Sequence, residues 1–340
     1  VLSGSGQRPA EIIMKNNNPF PNSDTNKRYY TYDYHMRKTF GGKVMKIPLD
    51  GGFTCPNIDG TRGRGGCTYC TKQTLPYRGK PLDVQFEEGK APLLKKWRRE
   101  GRREMFIPYF QVFTNTYAPV EKLRTLYEEA LAFGVYGVSI ATRPDCIGED
   151  VLSLLKELNG KTHLTVELGL QSSNDETAAR IHRGYKYEVF REMFLRLREN
   201  NIRICVHIID GLPGETEAEM IKTAEDLAQL RPDGVKIHLL HVIRGTQLAD
   251  LYESGAYTPM TFEDYVRVVI RQLEVLPPET VIERITGDGD KTKLLAPLWS
   301  RDKIRVLGTI DREMAVGNTW QGRLYSPNGL QKGQKMRIIE

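Results

Sequence analysis

The protein has 340 residues, of which 39% are hydrophobic, and its mean hydropathy is −0.46. This length is enough for one large hydrophobic core with an appendage. No apolar stretch approaches the ~20 residues that a membrane-spanning helix needs, so we expect no membrane association. A net charge of +6 and a pI near 8.9 favour anionic partners without identifying one.

The N-terminal residues and the cysteines bear on the compartment. The first residues lack the basic-then-apolar order of a signal peptide. We interpret residues 1–25 as a cloning remnant and a flexible N-terminus, with Met14 a plausible native start. Three of the five cysteines fall within 16 residues, which favours metal chemistry over a disulfide framework. We therefore expect a reducing, cytoplasmic compartment.

Apolar, β-branched runs alternate with longer amphipathic stretches along the chain. A strand followed by a helix, repeated six times, predicts an α/β protein whose parallel sheet is covered by helices. Six units are too few for a closed eight-stranded barrel. We predict a partial, TIM-type (β/α)6 barrel over residues 26–255 and a C-terminal extension over residues 256–340. The predicted strands are residues 43–49, 105–112, 136–141, 163–168, 202–208 and 234–240.

Unusual residues follow each predicted strand. In parallel α/β folds the chemistry lies at the C-terminal ends of the strands. A cysteine-containing loop follows the first strand, and the segments QVFTNTY, ATRPDC, ELGLQSS, DGLPGET and HVIRGT follow the others in turn. These segments are therefore predicted to meet at one edge of the sheet.

The cysteine loop reads CPNIDGTRGRGGCTYC, which is C-x11-C-x2-C with Cys55, Cys67 and Cys70. Its glycines permit the backbone angles needed to wrap a compact ligand. Electron-transfer clusters and structural zinc sites usually have four protein ligands. Three cysteines instead leave one iron of a [4Fe–4S] cluster open. The amino and carboxylate groups of S-adenosylmethionine (SAM) can fill that position.

A structural zinc site is the alternative interpretation of this loop. It requires a distant fourth ligand, and His35 and Cys146 are the candidates. The spacing alone leaves both interpretations open, whereas the position after the first strand of a (β/α)6 pattern favours the open cluster.

Taken together, the motifs resemble the radical SAM superfamily, in the branch related to the elongator catalytic subunit and within it the YtqA/MnmL/YhcC subfamily. The commonest superfamily motif is C-x3-C-x2-C, from which this chain departs; the subfamily carries the longer GGFTCPN-x-DGT…GGC-x-YC pattern. Further matches are YFQVFTNTYAPVE, SIATRPDC, VELGLQS, HIIDGLPGET, KIHLLHVIRGT and RITGDGD. The resemblance covers about residues 26–325. It implies a [4Fe–4S] cluster on the three cysteines and SAM on the open iron.

The resemblance also implies contacts to SAM from the second and fourth strands. Gln111, Thr114 and Asn115 lie in a segment that resembles the one holding the SAM amino group. Glu167 and Gln171 lie on the fourth strand, where related enzymes contact SAM. Glu167 stands in an otherwise apolar strand, and burying it unpaired would be costly. A buried structural ion pair is the alternative for this residue.

Three more positions complete the implied SAM site. Arg183 could pair with the methionyl carboxylate, or it could lie at a surface helix end. Gly211 and Gly214 would let the backbone approach the adenine after the fifth strand.

Four residues are weaker candidates for substrate contacts, namely Arg143, His238, His241 and Asp288. Core packing for the histidines and turn chemistry for Asp288 remain alternatives. Cys146, at a strand end, is either packed or near the site.

The subfamily resemblance implies an enzyme acting on the tRNA wobble uridine. MnmL-type members of the subfamily are implicated in converting 5-carboxymethylaminomethyl-(2-thio)uridine to the 5-aminomethyl form, and we expect the same reaction here. An electron donor such as flavodoxin or ferredoxin would be needed. Two alternatives remain: radical chemistry on a small metabolite or tetrapyrrole, and a zinc-stabilised RNA-binding protein without catalysis.

Overall fold

A parallel sheet forms the centre of the protein. The structure, a computed structural model, describes residues 18–71, 75–287, 289 and 291–327. The strands in this part of the chain are β1 (Met45–Leu49), β2 (Phe106–Phe110), β3 (Val138–Thr142), β4 (Leu164–Gln171), β5 (Arg203–Asp210), β6 (Gly234–Leu239), β7 (Val242–Ile243), β8 (Val281–Ile285) and β9 (Leu294–Ala296). Seven of these described strands pair in parallel in the order β1-β2-β3-β4-β5-β6-β8, as a curled half-barrel. The predicted α/β partial-barrel class is confirmed.

Helices follow the strands and cover the outer face of the sheet. In the described residues they are α1 (Tyr32–Phe40), α2 (Leu82–Arg99), α3 (Val120–Leu131), α4 (Glu149–Lys161), α5 (Asp175–Arg180), α6 (Tyr187–Glu199), α7 (Glu217–Leu230), α8 (Gln247–Glu253), α9 (Phe262–Val275) and α10 (Lys303–Val316), with 3-10 turns at Pro144–Cys146 and Leu298–Arg301. Their buried side chains recur at helical spacing, as with Leu123, Tyr127 and Ala130 in α3. This is the amphipathic pattern of a helix packed on a sheet.

One strand of the sheet was not predicted. β8 belongs to the segment expected to be an extension, yet it pairs with β6 from Gly234↔Val281 to Ile237↔Ile285. Its sequence, VIERI, is short and carries Glu283 and Arg284, so it lacks the apolar run that marked the other strands. The half-barrel therefore depends on residues from the C-terminal segment.

Residues 18–25 also differ from the expectation of a flexible N-terminus. Phe20 is 2% exposed. Asn22 Nδ2 donates to the main-chain oxygen of Pro278 at 3.1 Å. Part of the predicted flexible segment is therefore packed, and Asn22 joins it to the loop before β8.

The two faces of the sheet differ in chemistry. The outer face carries apolar side chains against the helices. The inner face carries several polar and charged side chains, which converge inside the half-barrel (Lys46, Tyr109, Ser139, Glu167, His207, Lys236 and Glu283). No helix in the described residues is long and apolar enough to cross a membrane.

Candidate active site

The cysteine loop lies at the C-terminal edge of the sheet, directly after β1. Tight turns hold the loop, since the Cys55 oxygen accepts from Ile58 N at 2.8 Å and the Cys67 oxygen accepts from Cys70 N at 2.8 Å. Cys55, Cys67 and Cys70 all line one cavity, which we call the cysteine cavity. The spacing in the sequence therefore brings the three thiols to a common space.

Close packing shapes the cysteine loop. Gly66 has φ +85°, and a Cβ there would come within 3.2 Å of the Cβ of Cys70, so only glycine fits. Asn57 Nδ2 donates to the main-chain oxygen of His182 and lies 3.6 Å from the Sγ of Cys67. The loop is thus fastened to the segment after β4.

The two candidate fourth ligands for a zinc ion do not line the cysteine cavity. His35, on α1, instead pairs through Nδ1 with the Tyr30 hydroxyl at 3.0 Å. Cys146 follows β3 in a 3-10 turn outside the cavity lining. A structural zinc site needs a fourth protein ligand, so the lining favours a cluster with an open iron.

The loop after β2 forms another wall of the cavity. Val112 and Phe113 have φ of 72° and 59°, which is rare outside glycine and marks a constrained backbone. Thr114 is 1% exposed, and its Oγ1 is buried without a partner in the described residues. Such an orphaned hydroxyl at a cavity wall suits a bound ligand.

The other two residues predicted on this loop lie outside the cavity lining. Asn115 Nδ2 donates to the main-chain oxygens of Val112 at 3.2 Å and Ala141 at 2.8 Å. The Gln111 N–H donates to Leu49 at 3.2 Å. Both residues fix the loop, and through it the position of Thr114.

Arg183 lines the cysteine cavity, but its donors are already engaged. Its Nη1 donates to the main-chain oxygens of Leu170 and Ser172, each at 2.5 Å, and Nε and Nη2 donate to Tyr185. The side chain is 1% exposed. Arg183 is therefore neither at a surface helix end nor well placed to pair with a carboxylate; it clamps the end of β4.

Arg143 is the cation that the structure offers to the cavity instead. Its Nε and Nη2 form a two-pronged pair with Asp145, both at 2.9 Å, and its Nη1 donates to the main-chain oxygen of Arg183 at 2.9 Å. A guanidinium has five N–H donors, so two remain for a ligand. The guanidinium also lies 4.8 Å from the centre of the Tyr185 ring.

Glu167 lines the cysteine cavity and lies at the centre of the inner-face charges. Its Oε1 accepts from Lys46 and Ser139, each at 2.6 Å, and its Oε2 accepts from His207 at 2.7 Å and from Lys236. Burial by itself would raise the pKa of Glu167, but the two ammonium groups and His207 hold it well below its usual range. The ion-pair interpretation of this residue therefore fits the structure.

A metal ion is a poor fit at these inner-face groups. Ligand atoms of Glu167, Cys205 and His207 do lie within 4.8 Å of one another. The ammonium groups of Lys46 and Lys236, however, already bind both oxygens of Glu167, and they would repel a further cation. We interpret the cluster as a hydrogen-bonded network.

A second cavity adjoins the first. Tyr69, Gln171 and His207 line both cavities, and the second is also lined by His238 and His241. His238 Nε2 is buried without a partner in the described residues, and burial holds the pKa of His238 well below its usual value. Two of the predicted substrate residues therefore lie together, next to the cysteine cavity. Asp288 lies outside the described residues.

Gln171 lies at the junction of the cavities because of a local irregularity in β4. The pairing with β5 shifts between Gly169 and Gln171, and Gln171 has φ 63°. A Cβ at Gly169 would come within 2.7 Å of the Gln171 amide nitrogen. The glycine thus makes room for the amide to fold back toward the cavities.

Gly211 and Gly214 lie outside both cavity linings. The Gly211 oxygen accepts from Tyr257 at 2.7 Å, and a Cβ on this residue would meet Met260 at 2.9 Å. A Cβ on Gly214 would meet Arg180 at 2.4 Å. Both glycines have positive φ, so the structure gives them a role in packing the loop after β5.

The sequence reasoning missed His207, Lys46, Lys236 and Glu283. The signal was available for Lys46, His207 and Lys236, because each is a polar residue inside a predicted apolar strand, as Glu167 is. It was not available for Glu283, because β8 carries two adjacent charged residues and was not predicted as a strand.

Comparison with known proteins identifies the class. The radical SAM superfamily model matches residues 58–227, and the radical SAM C-terminal domain model matches residues 232–316. YtqA of Bacillus subtilis is 46% identical over 317 residues, covering 92% of this chain and 97% of that protein. YhcC of Escherichia coli is 34% identical over 297 residues, covering 86% and 95%. The elongator protein of Methanocaldococcus infernus, solved with an N-terminal deletion, superposes with a TM-score of 0.62 at 18% identity, covering 82% of this chain and 64% of that one.

The chain therefore belongs to the radical SAM superfamily. The cofactors of this family are a [4Fe–4S] cluster and SAM. The cysteine cavity fits these groups, since it combines three thiols, an orphaned threonine hydroxyl and an arginine with spare donors. Cys55, Cys67 and Cys70 are the residues that would hold the cluster.

Proposed function

We propose that this enzyme acts on the wobble uridine of tRNA, converting the 5-carboxymethylaminomethyl side chain, with or without a 2-thio group, to the 5-aminomethyl form; the bond between the amine nitrogen and the carboxymethyl carbon breaks, and that group leaves as a two-carbon product. When bound, the cluster and SAM would supply radical chemistry that removes a hydrogen atom from the substrate. Two adjoining cavities support separate sites for the cofactors and the substrate. The cysteines line one cavity, and His238 and His241 line the other.

The observation that carries the choice of RNA is a strip of exposed cations beside the second cavity. We call Arg64, Arg244, Lys291, Lys293 and Arg301 the basic strip; all five are exposed. Ile243 and Gly289 line the second cavity. Arg244 directly follows Ile243, and Lys291 comes two residues after Gly289. The strip thus lies where a phosphodiester backbone would pass if a base entered the cavity.

Backbone contacts hold the basic strip together. The Arg244 N–H donates to the Lys293 oxygen at 2.9 Å, and Arg301 Nη2 donates to the Lys291 oxygen at 3.0 Å. A Cβ on Gly65, next to Arg64, would lie 3.4 Å from Gln247 on α8. These links bring three separate segments of the chain into one charged surface.

The charges of the strip are available to a polyanion. No ion pair within the described residues joins Arg64, Arg244, Lys291 or Lys293 to an acid. The basic run at the end of α2 differs, because Arg98 pairs with Glu104 at 3.0 Å and Arg102 with Glu100 at 2.7 Å. That run also precedes β2, so it lies at the opposite edge of the sheet from the cysteines.

Nucleoside analysis tests the proposed reaction. In tRNA from a strain that lacks the gene, mass spectrometry should find accumulated 5-carboxymethylaminomethyl nucleoside and lost 5-aminomethyl product. The wild-type gene should restore the product, and a Cys67→Ala variant should not. An unchanged nucleoside profile would contradict the proposal. Release of 5′-deoxyadenosine with a small metabolite, but not with tRNA, would favour that alternative substrate class.

RNA binding by the holoenzyme tests the strip independently of turnover. Phosphate contacts make affinity fall with salt, with a log–log slope of about 0.7 to 0.9 per neutralised phosphate. The triple variant Arg64→Gln, Arg244→Gln and Lys293→Gln should bind tRNA about tenfold or more weakly and lower that slope by about 2. The matched control is Arg98→Gln, Arg99→Gln and Arg102→Gln, which should bind as the wild type does. Equal losses in both triples would refute a localised site.

A further inference from the structure

His207 is placed where the two cavities meet. It lies on β5, and with Tyr69 and Gln171 it lines both the cysteine cavity and the second cavity. Its side chain is 19% exposed. A substrate that reaches toward the cofactors from the second cavity therefore passes this ring.

The ring is held in one tautomer by Glu167. Nε2 of His207 lies 2.7 Å from Oε2 of Glu167. The two ammonium groups on Glu167 keep it ionised, and an ionised carboxylate can only accept hydrogen bonds. Nε2 must therefore carry the hydrogen, which leaves Nδ1 as a bare acceptor when the ring is neutral.

Burial keeps His207 neutral. It lowers the pKa of His207 and, with the charges of Lys236 on β6 and Arg284 on β8, outweighs the hydrogen bond to Glu167 and the charge of that carboxylate. His238, also on β6, has its ring centre 5.2 Å away and is itself neutral, since burial lowers its pKa. Lys46 on β1 and Tyr109 on β2 complete the set of polar groups below the ring.

The acceptor nitrogen is left for a ligand. Within the described part of the chain, no hydrogen bond reaches Nδ1 of His207. The other three groups on the Glu167 carboxylate, from Lys46, Ser139 and Lys236, fix the position of that carboxylate. The network thus holds one acceptor, in a fixed orientation, at the junction of the cavities.

We propose that His207 determines specificity by accepting a hydrogen bond, through Nδ1, from an N–H donor of the substrate. This inference rests on the proposed function, under which the donor is the amine of the carboxymethylaminomethyl side chain. The bond places the carbon next to that nitrogen at the cofactor side of the junction. An analogue with an ether oxygen in place of the N–H presents only lone pairs to Nδ1 and is rejected.

Binding of a matched pair of RNAs tests the proposal. The two stem-loop RNAs differ only in the side chain of the wobble uridine, which carries either the amine or the ether. Wild-type holoenzyme should bind the amine RNA about tenfold more tightly or better, because a bound ether shields Nδ1 from water and leaves it unpaired. His207→Gln should reduce this preference to about threefold or less, since a glutamine amide can rotate to donate to the ether. His35→Gln, on α1 at the other edge of the sheet, is the control and should keep the full preference.

The tautomer of His207 gives a second test. If His207 served only to stabilise the fold, its bare nitrogen would not distinguish the amine RNA from the ether RNA. Nitrogen NMR of histidine-labelled holoenzyme at neutral pH should show one protonated and one bare nitrogen in His207. The bare nitrogen should shift on binding the amine RNA and not on binding the ether RNA. A doubly protonated ring, or a preference unchanged in His207→Gln, would overturn the inference. If both RNAs bind but His207→Gln keeps the preference, only this inference fails. If neither RNA binds, the proposed function fails as well.

Discussion

Arg143 donates from Nη1 to the main-chain oxygen of Arg183 at 2.9 Å, and both guanidinium groups lie over the ring of Tyr185. The two arginines nevertheless differ in what they can bind. Arg183 donates hydrogen bonds to main-chain oxygens around the end of β4. Arg143, in contrast, keeps two N–H donors free beside the cysteines. Each arrangement leads to a prediction.

Replacing Arg183 should cost stability rather than cofactor affinity. Arg183→Gln would leave the oxygens of Leu170, Ser172 and Tyr185 without their donors in a buried region. We expect the free energy of unfolding to fall by about 3 kcal/mol, measured by anaerobic urea unfolding. Arg180→Gln is the control, because its side chain is 38% exposed and makes one bond to Pro213. A stable Arg183→Gln protein with weakened SAM binding would contradict this assignment.

Replacing Arg143 should have the opposite effect. Arg143→Lys keeps the charge but cannot keep both the paired contact with Asp145 and the free donors. We expect SAM to bind about tenfold more weakly, which corresponds to about 1.4 kcal/mol, with iron content unchanged. Equilibrium dialysis with the holoenzyme measures the affinity. If SAM affinity is unchanged while KM for tRNA rises, Arg143 contacts the substrate, as the sequence suggested.

The metal content separates the cluster from zinc. Anaerobically reconstituted protein should hold about four irons and four sulfides per chain. Cys67→Ala should lose most of the iron, because the cluster then keeps only two protein thiolates. Cys146→Ala should retain it, since Cys146 lies outside the lining of the cysteine cavity. One zinc and no iron in the wild type, lost in Cys146→Ala, would instead support the structural zinc site.

Asp210 should make the protein less stable as the pH rises. The side chain is 1% exposed, and burial raises its pKa to about 7. An unfolded aspartate has a pKa of about 3.9, so the folded state holds a proton that the unfolded state releases. Stability is therefore lost as the pH rises from about 4 to 7 and then levels off.

The variant Asp210→Asn tests this dependence. It keeps an oxygen for Gln272, which donates to Asp210 at 2.6 Å, but cannot ionise. Its midpoint of thermal unfolding, relative to that of the wild type, should rise between about pH 5 and pH 8. A constant difference across this range would mean that Asp210 is already charged at low pH. Asp264→Asn on the exposed start of α9 should not show the rise, because hydrogen bonding to Thr261 lowers the pKa of Asp264.

Much of the fold could be read from the sequence because six strands are apolar runs bounded by turns. β8 escaped detection because two of its five residues, Glu283 and Arg284, are charged. The cysteine cavity was foreseen to a similar extent: Thr114, Glu167, Gln171 and Arg183 do line it with the three thiols. Their bonding was not foreseeable, because which carbonyls Arg183 meets, or which lysines flank Glu167, depends on strand register across the sheet.

β8 is the last strand in sequence to join the parallel sheet, and this order along the chain bears on how the enzyme can evolve. β1 to β4 and their loops supply the cysteines, Thr114 and Arg143, whereas β5, β6 and the segment after β8 supply the histidines and most of the basic strip. Under the proposed function, most of the groups that hold the cofactors and most of those that face the substrate therefore come from separate stretches of the chain, and Tyr69, Gln171 and His207, which line both cavities, join them. Recombination or drift in the second stretch would then change the substrate side while leaving the cysteines, Thr114 and Arg143 in place.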